Sequence, residues 1–195
     1  MSPLQGELDL RLRPVARPER LFFAVMPDAA AARAIVRIGR TLCEADPAAP
    51  KLIRPERLHV STHFVCDWPR LKARRVMAAR LAGAAVRLPP FDLALRAAMT
   101  FEPFGSRSQA QRPLVLVGEA AGVRDLQAAL AAAMGGRPPG PKRSGIPHVT
   151  LCYGAHPVVQ RPIPPIAWTA REFVLLHSRQ DRLHYDVLGR WPLGS

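Results

Sequence analysis

Residues 58–66, Leu58-His59-Val60-Ser61-Thr62-His63-Phe64-Val65-Cys66, read as a β-strand, and residues 148–153, His148-Val149-Thr150-Leu151-Cys152-Tyr153, read as another. Each carries the pattern His-Val-Ser/Thr. Side chains two apart in a strand share a face, so His59 points with Ser61 and His148 with Thr150. By the same parity His63 falls on the face of His59, although a structural role is the favoured reading for it. Laid side by side, the two strands place two proton-transfer groups and two hydroxyl donors in one space. That set suits phosphate-ester chemistry. With 6 histidines in 195 residues, chance predicts about 0.4 His-x-Ser/Thr matches, and two are present. Both are read as lying within strands, and both follow a proline, Pro55 and Pro147.

Working outward, the two motifs stand in similar surroundings. Residues 20–26 form an apolar strand, and Pro27-Asp28 opens an Ala-rich helix over 29–44. A short strand is expected at 51–54, stopped by Pro55, and a helix from Trp68-Pro69 to Ala85. Strands follow at 91–101 and 113–119, with a polar turn at 105–112 and a helix over 122–134. The Gly/Pro/Arg-rich stretch 135–145 reads as a mobile loop. After the second motif come a proline-rich crossing at 157–165 and two strands, 172–179 and 184–191, joined by a turn at 180–182. Each half thus runs strand, helix, motif strand. The expected fold is α+β and bilobal: two lobes related by a pseudo-twofold, with antiparallel sheets around a central cleft and helices outside. Residues 1–19 read as a flexible leader and 20–195 as a single domain.

The wider sequence context narrows the chemistry. The segments Arg20-Leu21-Phe22-Phe23-Ala24-Val25-Met26-Pro27-Asp28, Arg54-Pro55-Glu56-Arg57-Leu58-His59-Val60-Ser61 and Pro147-His148-Val149-Thr150-Leu151 resemble the two-histidine (2H) phosphoesterase superfamily. Within it the pattern is most similar to the bacterial RNA 2′,3′-cyclic phosphodiesterases, also called 2′-5′ RNA ligases. The closing segments Leu176-His177-Ser178, Tyr185-Asp186-Val187-Leu188 and Trp191-Pro192-Leu193 match the same family pattern, so the resemblance covers about 20–193. It implies a catalytic pair, His59 and His148, with Ser61 and Thr150 holding the phosphate and no metal. It further implies that His59 protonates the ribose 3′ oxygen and His148 deprotonates water, giving a 2′-phosphate. From the residues alone, which histidine is acid and which is base stays open. Two departures are visible: Ser61 stands where Thr is usual, and Thr62 where a bulky apolar residue is common.

The composition agrees with such a substrate. Net charge is +13, which favours polyanions through long-range attraction and counterion release. The expected partner is RNA or a nucleotide ending in a 2′,3′-cyclic phosphate, with no membrane and no metal. Zinc usually takes three or four protein ligands, and three scattered cysteines give no such set. No Walker-type loop suggests ATP, so no cofactor is expected. No apolar run is long enough for a membrane span, and a cytoplasmic monomer is expected. Arg54, Arg57 and the basic stretch 137–143 are candidates to guide an RNA end. Phe22, Phe23, Trp68 and Tyr153 are candidates to stack on a base. Two other readings of the same fold stand beside hydrolysis: a non-catalytic RNA-end-binding protein, and weak reversible 2′-5′ ligation in which a ribose hydroxyl replaces water.

Overall fold

A computed structural model describes residues 19–102, 112–136, 146–179 and 182–194. The leader up to residue 18, most of the expected 105–112 turn and the 135–145 loop, and residues 180–181 lie outside the described residues.

Among the described residues, eight strands and three helices follow in the order β1 (Glu19–Val25), α1 (Ala29–Glu44), β2 (Val60–Trp68), α2 (Ala73–Ala85), β3 (Phe91–Thr100), β4 (Pro113–Glu119), α3 (Ala121–Ala133), β5 (His148–Tyr153), β6 (Arg161–Ala170), β7 (Glu172–Ser178) and β8 (Asp186–Pro192). The strands form one antiparallel sheet in the order β6-β3-β4-β5-β2-β1-β7-β8. It consists of two four-stranded halves that meet at a single residue pair, Val60 with Val149. These two valines are the central residues of the two motifs, so the seam of the fold aligns His59-Val60-Ser61 against His148-Val149-Thr150. Both are fully buried. The flanking histidine and hydroxyl of each strand therefore turn to the opposite face.

The helices lie on the buried side and stitch the halves together. Helix α1 connects β1 to β2 but packs on β5 and β6, while α3 connects β4 to β5 but packs on β2 and β3. Helix α1 starts where Asp28 caps it, its carboxylate accepting from the Ala31 amide at 2.8 Å. Its buried seam is Ala31, Ile35, Gly39 and Cys43, one residue per turn. A Cβ on Gly39 would lie 2.7 Å from a methyl of Leu52 and 3.3 Å from one of Leu151. Glycine thus sets how closely α1 approaches the strand that carries His148.

One buried carboxylate fixes the chain after α1. Asp46 accepts from the Ala48 amide (2.8 Å), the His156 amide (2.8 Å) and His156 Nδ1 (2.7 Å). It ties the turn after α1 to the segment leaving β5. Asp46→Ala leaves two backbone donors without partners, and such losses cost about 1–3 kcal/mol each. We expect a loss of about 2–3 kcal/mol in urea unfolding. A variant as stable as the wild type would show that this tie contributes nothing.

Three expectations are corrected here. Residues 51–54 form no strand: the Ile53 amide bonds to the Leu151 carbonyl at 2.6 Å, and the segment then passes into the 3₁₀ turn Pro55–Arg57. Helix α2 begins at Ala73, because the Glu19 carboxylate takes the Leu71 amide at 2.8 Å and pins the preceding residues to β1. The proline-rich crossing is largely strand β6, which carries Pro162, Pro164 and Pro165. It tolerates them because it is an edge strand and its pairing with β3 shifts register there.

Candidate active site

On the face away from the helices, the two motif strands form the floor of a cleft of about 740 Å³ lined by His59, Ser61, His148 and Thr150 together. All four residues singled out in the sequence meet in it. Neither histidine sits mid-strand, however: His59 precedes the first residue of β2, and His148 is the first residue of β5.

That position has a chemical consequence. As the chain turns into each strand, the carbonyl two residues back faces the imidazole. His59 Nδ1 lies 2.7 Å from the Arg57 carbonyl and His148 Nδ1 lies 2.8 Å from the Ile146 carbonyl. A carbonyl only accepts, so each Nδ1 carries the hydrogen and donates it. Nε2 of each neutral ring is left with its lone pair for the cleft. The same anchor at both motifs is the local form of the pseudo-twofold.

Each ring also rests on an aromatic. His59 packs against Phe22 (5.1 Å between centroids) and edge-on against Tyr185 (5.3 Å), and His148 sits edge-on to Phe101 (5.0 Å). Beneath them lie two small apolar clusters, Phe22-Ala24-Val174-Leu176 and Ala97-Phe101-Val115-Val117. Burial, outweighing the hydrogen bond to Arg57, lowers the His59 pKa to about 4, with the charges of His148 and Arg57 adding to the effect. Burial also lowers His148, against the opposing hydrogen bond to Ile146. Both imidazoles are therefore neutral at pH 7 in the protein alone. The hydroxyls of Ser61 and Thr150 engage no other described side chain and stay available to a ligand.

A β-bulge shapes the rest of the wall. Between β1 and β2 the register runs Ala24 with Ser61, then Phe23 with His63, passing over Thr62. The extra residue reverses the alternation. His63 thus turns to Phe23 on the buried side rather than sharing the face of His59, and Phe64, 58% exposed, is delivered into the cleft. Thr62 is buried, and its hydroxyl has no hydrogen-bond partner among the described residues. Of the stacking candidates, Phe22 and Tyr153 line the cleft. Phe23 is core, and Trp68 lies outside the cleft, covered by the Lys72 ammonium at 4.3 Å. Sequence reading missed Phe64, Tyr185 and Phe101. The run His63-Phe64-Val65-Cys66, which breaks strict alternation, was the available signal for the first.

The lining is basic. Arg20, Lys51, Arg54, Arg57 and Arg182 surround the cleft, and no carboxylate is among its described lining residues. Arg57 donates to the Ser178 hydroxyl at 3.1 Å and lies 4.4 Å over the Tyr185 ring. It is thereby held beside His59. Among the described residues no group of three or more His, Cys, Asp or Glu side chains is placed to hold a metal ion. No helix among them is long and apolar enough to cross a membrane.

The family model of the 2′-5′ RNA ligase superfamily matches residues 26–182. The chain belongs to the 2′-5′ RNA ligase superfamily. Solved structures agree with this membership. LigT of E. coli complexed with 3′-AMP is 26% identical, covering 92% of this chain and 100% of that one, with a TM-score of 0.64. LigT complexed with phosphate is also 26% identical, with the same coverage and a TM-score of 0.65. TT0787 of Thermus thermophilus shares the fold at 23% identity and a TM-score of 0.65, over 89% of this chain and 97% of that one. No curated protein sequence matches significantly.

Proposed function

We propose that this 2H phosphoesterase superfamily member hydrolyses RNA 2′,3′-cyclic phosphate ends to 2′-phosphates, with His59 and His148 as its acid–base pair. The observation that carries the reading is the matched anchoring of the two imidazoles, which leaves both Nε2 atoms to one basic cleft. The attacking and leaving oxygens of a phosphodiester lie on opposite sides of phosphorus, and two strands meeting at a pseudo-twofold supply one imidazole for each. His148 Nε2 takes a proton from water as its oxygen bonds to phosphorus. The bond from phosphorus to the ribose 3′ oxygen breaks, and protonated His59 delivers its Nε2 proton there. Ser61 and Thr150 donate to the non-bridging oxygens as charge builds on them. That LigT was crystallised with phosphate and with 3′-AMP supports a phosphate and a nucleoside fitting such a cleft.

The neutral state of His59 couples its charging to substrate. A bound phosphodiester anion favours the imidazolium and raises its pKa. The pH profile of kcat/KM reports the free enzyme, and that of kcat reports the complex. We therefore expect the alkaline fall of kcat/KM to begin below pH 6.5 and that of kcat to lie at higher pH. Superposable profiles would contradict the coupling.

The direct test incubates the protein in EDTA with an RNA oligonucleotide ending in a 2′,3′-cyclic phosphate and resolves the product ends. Conversion to the 2′-phosphate is expected. Binding without conversion would leave an RNA-end-binding protein, and joining to a second RNA faster than hydrolysis would make ligation the principal reaction.

A further inference from the structure

The exposed face of α1 is basic and continues the wall of the cleft. Arg33, Arg37 and Arg40 stand at helical spacing on one side, all exposed, and line a shallow groove closed by Pro55. Pro55 directly follows Arg54 of the cleft wall. Residues 51–57 are therefore the rim shared by cleft and groove: Lys51, Arg54 and Arg57 face one side, and Pro55 the other. Among the described residues, none of Arg33, Arg37, Arg40, Lys51 or Arg54 has a carboxylate partner within ion-pair distance. Glu44, one turn beyond Arg40, is the one carboxylate among the groove's described lining residues and marks its far end.

We infer that the α1 arginines are a phosphate track for the RNA strand leading to the cleft, so that the substrate is an oligonucleotide rather than a free cyclic mononucleotide. This rests on the cyclic-phosphodiesterase reading for the placement of the 3′ end. With that end on the cleft floor, the 5′-ward strand leaves past Arg54, crosses the rim at Pro55 and runs along α1. Arg33 and Arg40 are seven residues apart, ~10 Å of helix, which spans about three phosphates at the axial spacing of a stacked strand. Arginine suits the task because its planar fork reaches two phosphate oxygens at once and keeps its charge. Unpaired cations on an uncovered helix face, running from the rim of an anion-binding cleft, are what such a strand requires.

The test measures binding of a fluorescent RNA of about twelve nucleotides with a 3′-phosphate, over a range of salt concentrations. Wild type is compared with Arg33→Gln/Arg37→Gln/Arg40→Gln and with a charge-matched variant, Arg74→Gln/Arg80→Gln/Arg124→Gln, whose sites line neither cleft nor groove. Glutamine preserves helix propensity, and circular dichroism confirms the fold. Losing three phosphate contacts reduces the slope of log Kd against log salt by about 2. We expect that reduction, a Kd raised at least ten-fold at low salt, and a smaller loss with a dinucleotide. The charge-matched variant keeps a slope near the wild type. Equal slopes in all three proteins, or equal losses in both variants, overturn the track. Hydrolysis is scored separately. Track-dependent binding without turnover sinks the enzymatic reading alone, and turnover with a track-independent slope sinks the track alone.

Discussion

On the proposed mechanism, His148→Ala and His59→Ala should each lower kcat by about 10² to 10⁴, the usual worth of a positioned proton-transfer group, while the chain stays folded. Neither ring is part of the main hydrophobic core. His148 contributes one backbone hydrogen bond and one ring contact, His59 one backbone hydrogen bond and two ring contacts, so truncation creates no deep cavity. His59 is the more enclosed, between Phe22 and Tyr185. For that site His59→Asn is the companion variant, because its amide can still donate to the Arg57 carbonyl while offering no titratable nitrogen. KM changes little if the lost interaction exists only in the transition state. The double variant should fall short of the product of the two single losses, because the proposed acid and base act on one displacement. Steady-state assays on a cyclic-phosphate RNA, with thermal melts as the folding control, check all of this. A single variant retaining more than about a third of wild-type kcat would remove that histidine from the reaction.

Thr150→Val carries the next largest effect, with Ser61→Ala beside it. Valine keeps the shape and the β propensity of threonine and deletes only the donor. The Thr150 hydroxyl has no described side-chain partner and lines the cleft, so its removal leaves no described side chain without its partner. A donor aimed at a developing oxyanion is worth about 10²- to 10³-fold in kcat where the site is well enclosed. This cleft is open to solvent, so the lower end is expected. Stability stays within about 0.5 kcal/mol, as for surface substitutions generally. Ser61 is the more exposed of the two and has a freer rotamer than a β-branched residue. Its loss should be smaller, and Ser61→Thr should match or exceed the wild type. Equal activity of Thr150→Val and wild type would show that the hydroxyl does not touch the phosphate.

Much of this cleft could be read from residues 59–61 and 148–150 because the information there is local. A two-residue period places histidine and hydroxyl on one face, and a buried valine between them settles which face is core. Helix α1 was equally legible, since Pro27-Asp28 and the Ala-rich run that follows act within a few residues of where they stand. What escaped depends on pairing. The bulge at Thr62 exists only because β1 lies beside β2 with a register shift, and it alone decides that Phe64 rather than His63 enters the cleft. Strand β6 is hidden by three prolines that only an edge position and a register shift permit. Phe101 becomes the support of His148 through the order of strands in the sheet, which no short stretch of sequence contains. The single Val60–Val149 pair is likewise invisible along the chain, yet it brings the two motifs together.

The division of labour between the histidines is tested most directly by changing the leaving group. Wild type, His59→Ala and His148→Ala are compared on a 2′,3′-cyclic phosphate RNA and on a para-nitrophenyl phosphodiester of a nucleoside, whose phenolate departs without help from an acid. His59→Ala should be crippled on the RNA and largely restored on the activated ester, while His148→Ala, lacking the base for water, stays impaired on both. Equal impairment of the two variants on both substrates, or restoration of His148→Ala alone, would contradict the assigned acid and base.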